Sequence, residues 1–179
     1  DGFFQIRTES GELQYTRDGS FEISPVANGN MLCTSDGNPV LDAYGNQIIL
    51  PSNRVATDLV VNQDGTLAFP DGTGNPAVIT DANGRPVKFG IYQFNNPAGL
   101  SKEGSNNYSV TVASGAAVAE NGNAAVKQTK THQYYTEASN VDVANEMVNL
   151  IVAQRAYQLN SKAITTSDDM LEQANNLKR

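Results

Sequence analysis

One cysteine, one histidine and no tryptophan stand among 179 residues. The lone Cys33 excludes an intramolecular disulfide, and Cys33 with His132 is too small a set for a Cys/His zinc cage. Charge is also scarce: 17% of residues are Asp, Glu, Lys or Arg, against roughly 25% in an average globular chain. The balance is −7, which argues against nucleic acid or an anionic membrane face as partner. No apolar run approaches the roughly 18 residues that cross a bilayer, so no membrane insertion is expected. A basic-then-apolar leader is missing too, and the first residue is Asp1 rather than Met. The expectation is a piece of a longer protein that lacks its amino-terminal part. Uncharged turn formers take the place of charge, with 20 Asn and 15 Gly. The length suits one large domain, or one domain plus an extension, with a real core.

Up to about Tyr135 the chain is punctuated by turn dipeptides. Asp-Gly occurs at 1–2, 18–19, 36–37, 64–65 and 71–72, and Asn-Gly at 28–29, 83–84 and 121–122. Both pairs tolerate the positive φ of tight hairpin turns. Between them lie short strand-like runs at 3–7, 13–17, 21–23, 31–34, 47–50, 58–62, 66–69, 87–94 and 108–112. The run from Val87 to Phe94 is nearly continuous in apolar residues, as a central strand would be. The prediction is an elongated, mainly β domain over 1–135, built of many short antiparallel strands and hairpins. Residues 113–130 are mostly Ala, Ser, Gly and Asn, and are predicted to form a flexible loop or arm.

From Ser139 the period changes. Ser139 with Asp142 fits a capping box, so Ser139 and Asn140 are expected at the helix cap. Neither Gly nor Pro follows before the carboxyl terminus. Val143, Met147, Leu150, Tyr157, Ile164 and Leu171 recur at alternating spacings of 4 and 3, with Gln154, Ser161 and Asp168 as polar members of the seam. Ile151, Ala144, Val148 and Leu159 widen it. The pattern predicts one carboxy-terminal helix within 136–179, of about 37 residues and roughly 55 Å. Its weakest helical stretch is Thr165-Thr166-Ser167. Heptad-like spacing favours another helix over a sheet as the surface this stripe packs on, and no second helical pattern exists in the chain.

The residues that could carry chemistry are few. His132, in Thr131-His132-Gln133-Tyr134-Tyr135, reads as a polar strand or linker residue. Cys33, between Leu32 and Thr34, reads as a small buried apolar residue. Asp168 and Asp169 are adjacent on a helix and diverge, so they make a solvated face and no acid/base pair. The stretches Asp36-Gly37-Asn38 and Asp71-Gly72-Thr73-Gly74-Asn75 lack the alternating oxygens and terminal Glu of a calcium loop. Gly72 and Gly74 open no helix that could cradle a phosphate, and Ser114-Gly115 lacks the glycine frame of a nucleophile elbow. No catalytic, cofactor or metal residue is expected. Arg155, among apolar neighbours, is either on a solvated face or paired with another subunit.

Several segments in fixed order carry a resemblance. Glu137-Ala138-Ser139-Asn140-Val141-Asp142-Val143, Glu146-Met147-Val148-Asn149-Leu150-Ile151, Gln154-Arg155-Ala156-Tyr157 and Asn160-Ser161-Lys162 resemble the carboxy-terminal signature of bacterial flagellar rod and hook proteins. Gly2-Phe3-Phe4-Gln5-Ile6, then Tyr15-Thr16-Arg17-Asp18-Gly19-Ser20-Phe21, is similar to the segment that follows their amino-terminal region. Asn62-Gln63-Asp64-Gly65-Thr66 matches a recurrent element of the same family, while residues 70–86 match nothing closely. The resemblance implies a non-enzymatic axial building block of the basal body that is exported without a cleaved signal. It implies helical self-assembly into a tube, with paired terminal helices as an inner coiled-coil layer and the β domain outside. The implied partners are other copies, neighbouring rod and hook proteins, and the ring or bushing proteins around the rod. Val143, Met147, Leu150, Ile151, Tyr157, Ile164 and Leu171 are then the expected assembly interface. From a different class, a secreted adhesin or phage-tail-like module that oligomerises through its helix fits the same pattern.

Overall fold

The structure, a computed structural model, describes residues 2–71 and 76–177. In chain order it contains strands β1 (Phe3–Arg7), β2 (Leu13–Thr16), β3 (Glu22–Val26), β4 (Gly29–Cys33), β5 (Ile49–Leu50), β6 (Val60–Val61), β7 (Leu67–Pro70), β8 (Pro76–Val78), β9 (Ile91–Gln93), β10 (Ser101–Gly104), β11 (Asn107–Ser109) and β12 (Val118–Ala119), then helix α1 (Val143–Asn176). The chain divides into two compact units, Asp1–Tyr135 and Thr136–Arg179.

All strand pairs are antiparallel. One sheet has six strands in the order β10-β11-β2-β1-β9-β12, and two have three, β3-β4-β5 and β6-β7-β8. The first unit is therefore mainly β, made of short antiparallel strands, and the one α-helix among the described residues follows it.

A turn of one design recurs five times, at 8–12, 34–38, 42–46, 62–66 and 81–85. In each, the N–H of the first residue donates to the carbonyl of the fifth, and the glycine at the fourth position donates back to the first: Thr8/Gly11, Thr34/Gly37, Asp42/Gly45, Asn62/Gly65 and Asp81/Gly84. The five glycines have φ between 75° and 89°, the left-handed region that only glycine enters freely. This is a type I turn closed by a glycine bulge. In two copies an aspartate in first place reinforces the turn: Asp42 Oδ1 accepts from Tyr44 N and Asn46 N, and Asp81 Oδ1 accepts from Asn83 N and Arg85 N. Two positions before each turn stands an apolar residue: Ile6, Leu32, Val40, Val60 and Ile79. Each copy thus joins an apolar residue, buried at Ile6, Leu32 and Val40 and half-buried at Val60 and Ile79, to a turn. Spacing by dipeptide alone does not reveal it, because the residue before glycine is Asp or Asn in only some copies.

The core residues are joined by three closed rings of backbone hydrogen bonds. Leu32 N donates to Ile48 O, Val40 N to Leu32 O and Ile48 N to Val40 O, at 2.9–3.1 Å. Leu67, Ile79 and Val87 form a second ring at 2.8–2.9 Å, and Gln5, Leu41 and Gly90 a third at 2.9–3.0 Å. Ile6, Leu32, Val40, Ile48, Leu67, Val87 and Phe89 belong to one buried cluster. A second cluster is aromatic: Phe3, Tyr15 and Phe94 with Leu100, their rings edge-on at 5.0–5.4 Å.

These rings explain where the expected strands fall short. Within 87–94 only Ile91–Gln93 is a regular strand. Lys88 and Phe89 make single bridges to Thr66 and Asp42, because three strands meet there. The expected arm at 113–130 is also corrected. Val118–Ala119 pairs with β9, Ser114 is fully buried and Glu120 is 5% exposed. Small residues allow that close packing, which hydrophobicity could not disclose.

Candidate assembly interface

Helix α1 starts later than the sequence pattern placed it. Its cap is Asp142, in an extended conformation, whose carboxylate accepts from Ala144 N at 3.0 Å. Ser139 and Asn140 are therefore not the cap. Ser139 Oγ accepts from Val141 N in the preceding turn and lies too far back to reach the first free helical N–H groups. The helix runs 34 residues without a break. At the weak stretch Thr165 and Thr166 turn their hydroxyls back onto the Lys162 carbonyl, at 3.0 and 2.8 Å, which satisfies them inside the helix.

No residue of α1 is buried. Val143, Met147, Leu150, Ile151, Tyr157, Ile164 and Leu171 are all exposed, from 50% at Ile151 to 76% at Tyr157. Val148, Val152, Leu159 and Met170 are exposed as well. In the first three turns apolar side chains cover far more than one narrow seam. Fully burying a single Leu or Ile is worth roughly 1.5–3 kcal/mol, so this helix carries a large unspent driving force for packing.

The segment before the helix is held down by a polar clasp that the sequence reading missed. Glu120 Oε2 accepts from Thr129 N at 2.7 Å, and its Oε1 accepts from Thr129 Oγ1 and Gln93 Nε2, both at 2.6 Å. Further on, Thr131 N donates to Gln63 O and Thr131 Oγ1 to Asn62 O. The Gln133 amide then imitates a strand backbone along β6, donating to Leu59 O at 2.7 Å and accepting from Val61 N at 3.0 Å. Residues 127–133 are thereby strapped onto the β unit. The one hint in sequence was Glu120 itself, the only acidic residue in 113–130.

The residues weighed for chemistry have structural surroundings. His132 is exposed, its ring 5.6 Å from Tyr135. Cys33 is buried, and burial pushes its thiol pKa up, with Glu22 adding to the shift. Ser114 Oγ accepts from Thr111 N and donates to Thr111 O in a local turn. Asp36-Gly37-Asn38 is one of the five recurrent turns. Gly72, Thr73, Gly74 and Asn75, weighed for calcium or phosphate, lie outside the described residues. Among the described residues no group of three His, Cys, Asp or Glu could hold a metal ion, and no helix is long and apolar enough to cross a membrane.

The molecule is a β unit of short antiparallel hairpins followed in sequence by one long helix whose apolar side chains are exposed. Comparison with known proteins gives its family. Residues 1–69 match a family model described as the flagellar hook protein FlgE/F/G D1 domain, and residues 132–177 match the flagellar basal body rod FlgEFG protein C-terminal. The chain belongs to the flagellar rod and hook protein family. It is 40% identical, over its whole length, to the flagellar basal-body rod protein FlgG of Borreliella burgdorferi, covering 62% of that protein. It is 39% identical to FlgG of Bacillus subtilis, covering 63% of it. It is also 39% identical to the flagellar hook-basal body complex protein FlhP of that organism, over 94% of this chain and 59% of FlhP. The chain thus spans somewhat less than two thirds of the relatives it matches.

Proposed function

We propose that the protein is a structural subunit of the bacterial flagellar basal body, placed in the distal rod, and that it works by assembly without catalysis. Copies build helically into the shaft that carries torque from motor to hook. The family and the FlgG relatives support this reading, and they offer no support for an adhesin or phage-tail module. The observation that carries the mechanism is the exposed apolar surface of α1. Val143, Met147, Leu150, Ile151, Tyr157, Ile164 and Leu171 pack against helices of other copies in a coiled-coil-like layer. Neighbouring rod and hook proteins continue the same stack, and ring or bushing proteins around the rod contact the β units. A shaft transmits torque through its interfaces, so many modest contacts per subunit serve it better than one site.

The test is Leu150→Asp with Ile151→Asp in the full-length protein in its own cell. Burying two carboxylates in place of two aliphatic side chains costs more than about 3 kcal/mol per contact, enough to stop assembly. Swimming should be lost while the β unit melts at its normal temperature. A double variant that swims normally would sink the proposal.

A further inference from the structure

The charges of α1 are zoned in a way that neither the helix nor its macrodipole explains. Six charged residues lie in the helix: Glu146, Arg155, Lys162, Asp168, Asp169 and Glu172, all exposed. None of them has an opposite charge three or four positions away, so no intrahelical ion pair of the usual kind can form. The start is acidic, with Asp142 and Glu146, as a helix amino terminus favours. The middle is basic, with Arg155 and Lys162. The last three turns hold Asp168, Asp169 and Glu172 and no basic residue. There Glu172 stands nearest the negative pole of the macrodipole. The carboxylates also repel each other at i,i+3 and i,i+4, and both effects oppose the helix. Lys178 and Arg179 follow in sequence, six positions or more beyond Glu172. An arrangement unfavourable inside one helix has its use between helices.

The acidic-basic-acidic pattern decides how two copies of α1 can lie together. Side by side, parallel and in register, each zone meets its own kind. Antiparallel at full overlap, the basic middle again meets the basic middle and the acidic start meets the acidic end. Both arrangements oppose like charges. A parallel pair displaced by about 14 residues, or roughly 21 Å at 1.5 Å per residue, does the opposite. Arg155 of one copy then lies level with Asp168 and Asp169 of the next, and the first copy's acidic Glu146 lies level with the second's basic stretch between Arg155 and Lys162. The displacement is two heptads, so the apolar seam stays in phase.

We propose that these charges set a staggered, parallel packing of α1 between neighbouring copies of this chain, and that they reject both full-overlap pairs. The inference rests on the assembly role proposed above. Exposed ion pairs add little affinity, but like charges facing each other discriminate strongly between registers. A staggered contact uses different parts of the helix in the two copies, so it leaves each end open for the next copy. It is heterologous and grows, where a full-overlap pair would close on itself. The zoning thus selects a fibre-forming contact over a dimer.

Cysteine cross-linking in assembled rods reads the register directly. The full-length double variant Ala153→Cys/Ser167→Cys should give a ladder of covalent oligomers on mild oxidation, and each single variant should remain monomeric. Dimers from the single variants, or no ladder from the double variant in assembled rods, would overturn the proposal. A second arm uses charge. Arg155→Glu/Lys162→Glu should cut rod assembly by about tenfold or more, and adding Glu146→Lys/Asp168→Lys/Asp169→Lys/Glu172→Lys should restore it. Normal assembly of the first variant, or no restoration by a chain that is still secreted and helical, overturns the charge rule. Loss of swimming in the Leu150→Asp/Ile151→Asp variant alongside either result leaves the assembly role standing, and its absence removes that role as well.

Discussion

Replacing Glu120 by Ala should free residues 127–133 from the β unit without unfolding it. The carboxylate is nearly enclosed and accepts three hydrogen bonds, from Thr129 N, Thr129 Oγ1 and Gln93 Nε2. Hydrogen bonds to a charged group are worth about 1.5–3 kcal/mol each. Thr129 and Gln93 are only partly buried, so water takes over part of what is lost. The net cost to the clasp is about 2–4 kcal/mol. Glu120→Gln should cost about half of that, because one amide oxygen replaces two acceptors and one donor is left facing an N–H. Amide exchange separates a local loss from a global one. The Thr131 amide, bonded to Gln63 O, should exchange about 30 to 1,000 times faster in Glu120→Ala. The ring amides of Leu32, Val40 and Ile48 should keep their protection. If the Thr131 amide exchanges at the wild-type rate in this variant, the clasp is not what holds the strap.

Three further outcomes follow from the geometry. Asp142→Ala should weaken α1 by about 1 kcal/mol, seen as lost helicity by circular dichroism, and Ser139→Ala should leave it nearly unchanged. Gly90→Ala places a Cβ about 2.6 Å from the Asp42 carbonyl oxygen. It should cost about 1–3 kcal/mol of β-unit stability in a urea titration. Acid should also destabilise the β unit. The Thr66 hydroxyl holds Asp64 below its ordinary 3.8, and backbone N–H groups of Ser20 and Arg85 do the same for Asp18 and Asp81. Their folded pKa values are depressed, so this contribution is complete above the ordinary value and drains as pH falls through the folded one. The urea midpoint should fall below about pH 4, and Asp64→Asn should flatten part of that slope.

The sequence made the class of each half plain, because period 2 and period 4/3 are local signals. Phe3–Arg7 and Leu13–Thr16 alternate or run apolar between turns, and both are strands. The helix is equally legible, since nothing between Val143 and Asn176 breaks it. What stayed hidden depends on meetings between distant residues. The clasp joins Glu120 to Gln93 and Thr129, and no single-position pattern announces a carboxylate whose donors are that scattered. The recurrent turn was hidden for another reason. Its first position accepts Thr, Asp or Asn interchangeably, so only the shared hydrogen bonds of Thr8, Thr34, Asp42, Asn62 and Asp81 unite the copies. The cap was misplaced because Ser139, Asn140 and Asp142 are all good capping residues, and backbone geometry chooses among them.

The three rings of backbone hydrogen bonds have a mechanical consequence. Two strands in a ladder can slip along each other by exchanging one set of partners for the next. Three strands tied in a closed ring cannot, because moving any one of them stretches a tie to one neighbour or compresses a tie to the other. The triangle is the one polygon that does not shear without a change in side length. At Leu32-Val40-Ile48, Leu67-Ile79-Val87 and Gln5-Leu41-Gly90 the β unit is triangulated as a truss is, and these ties add to its packed core in opposing shear.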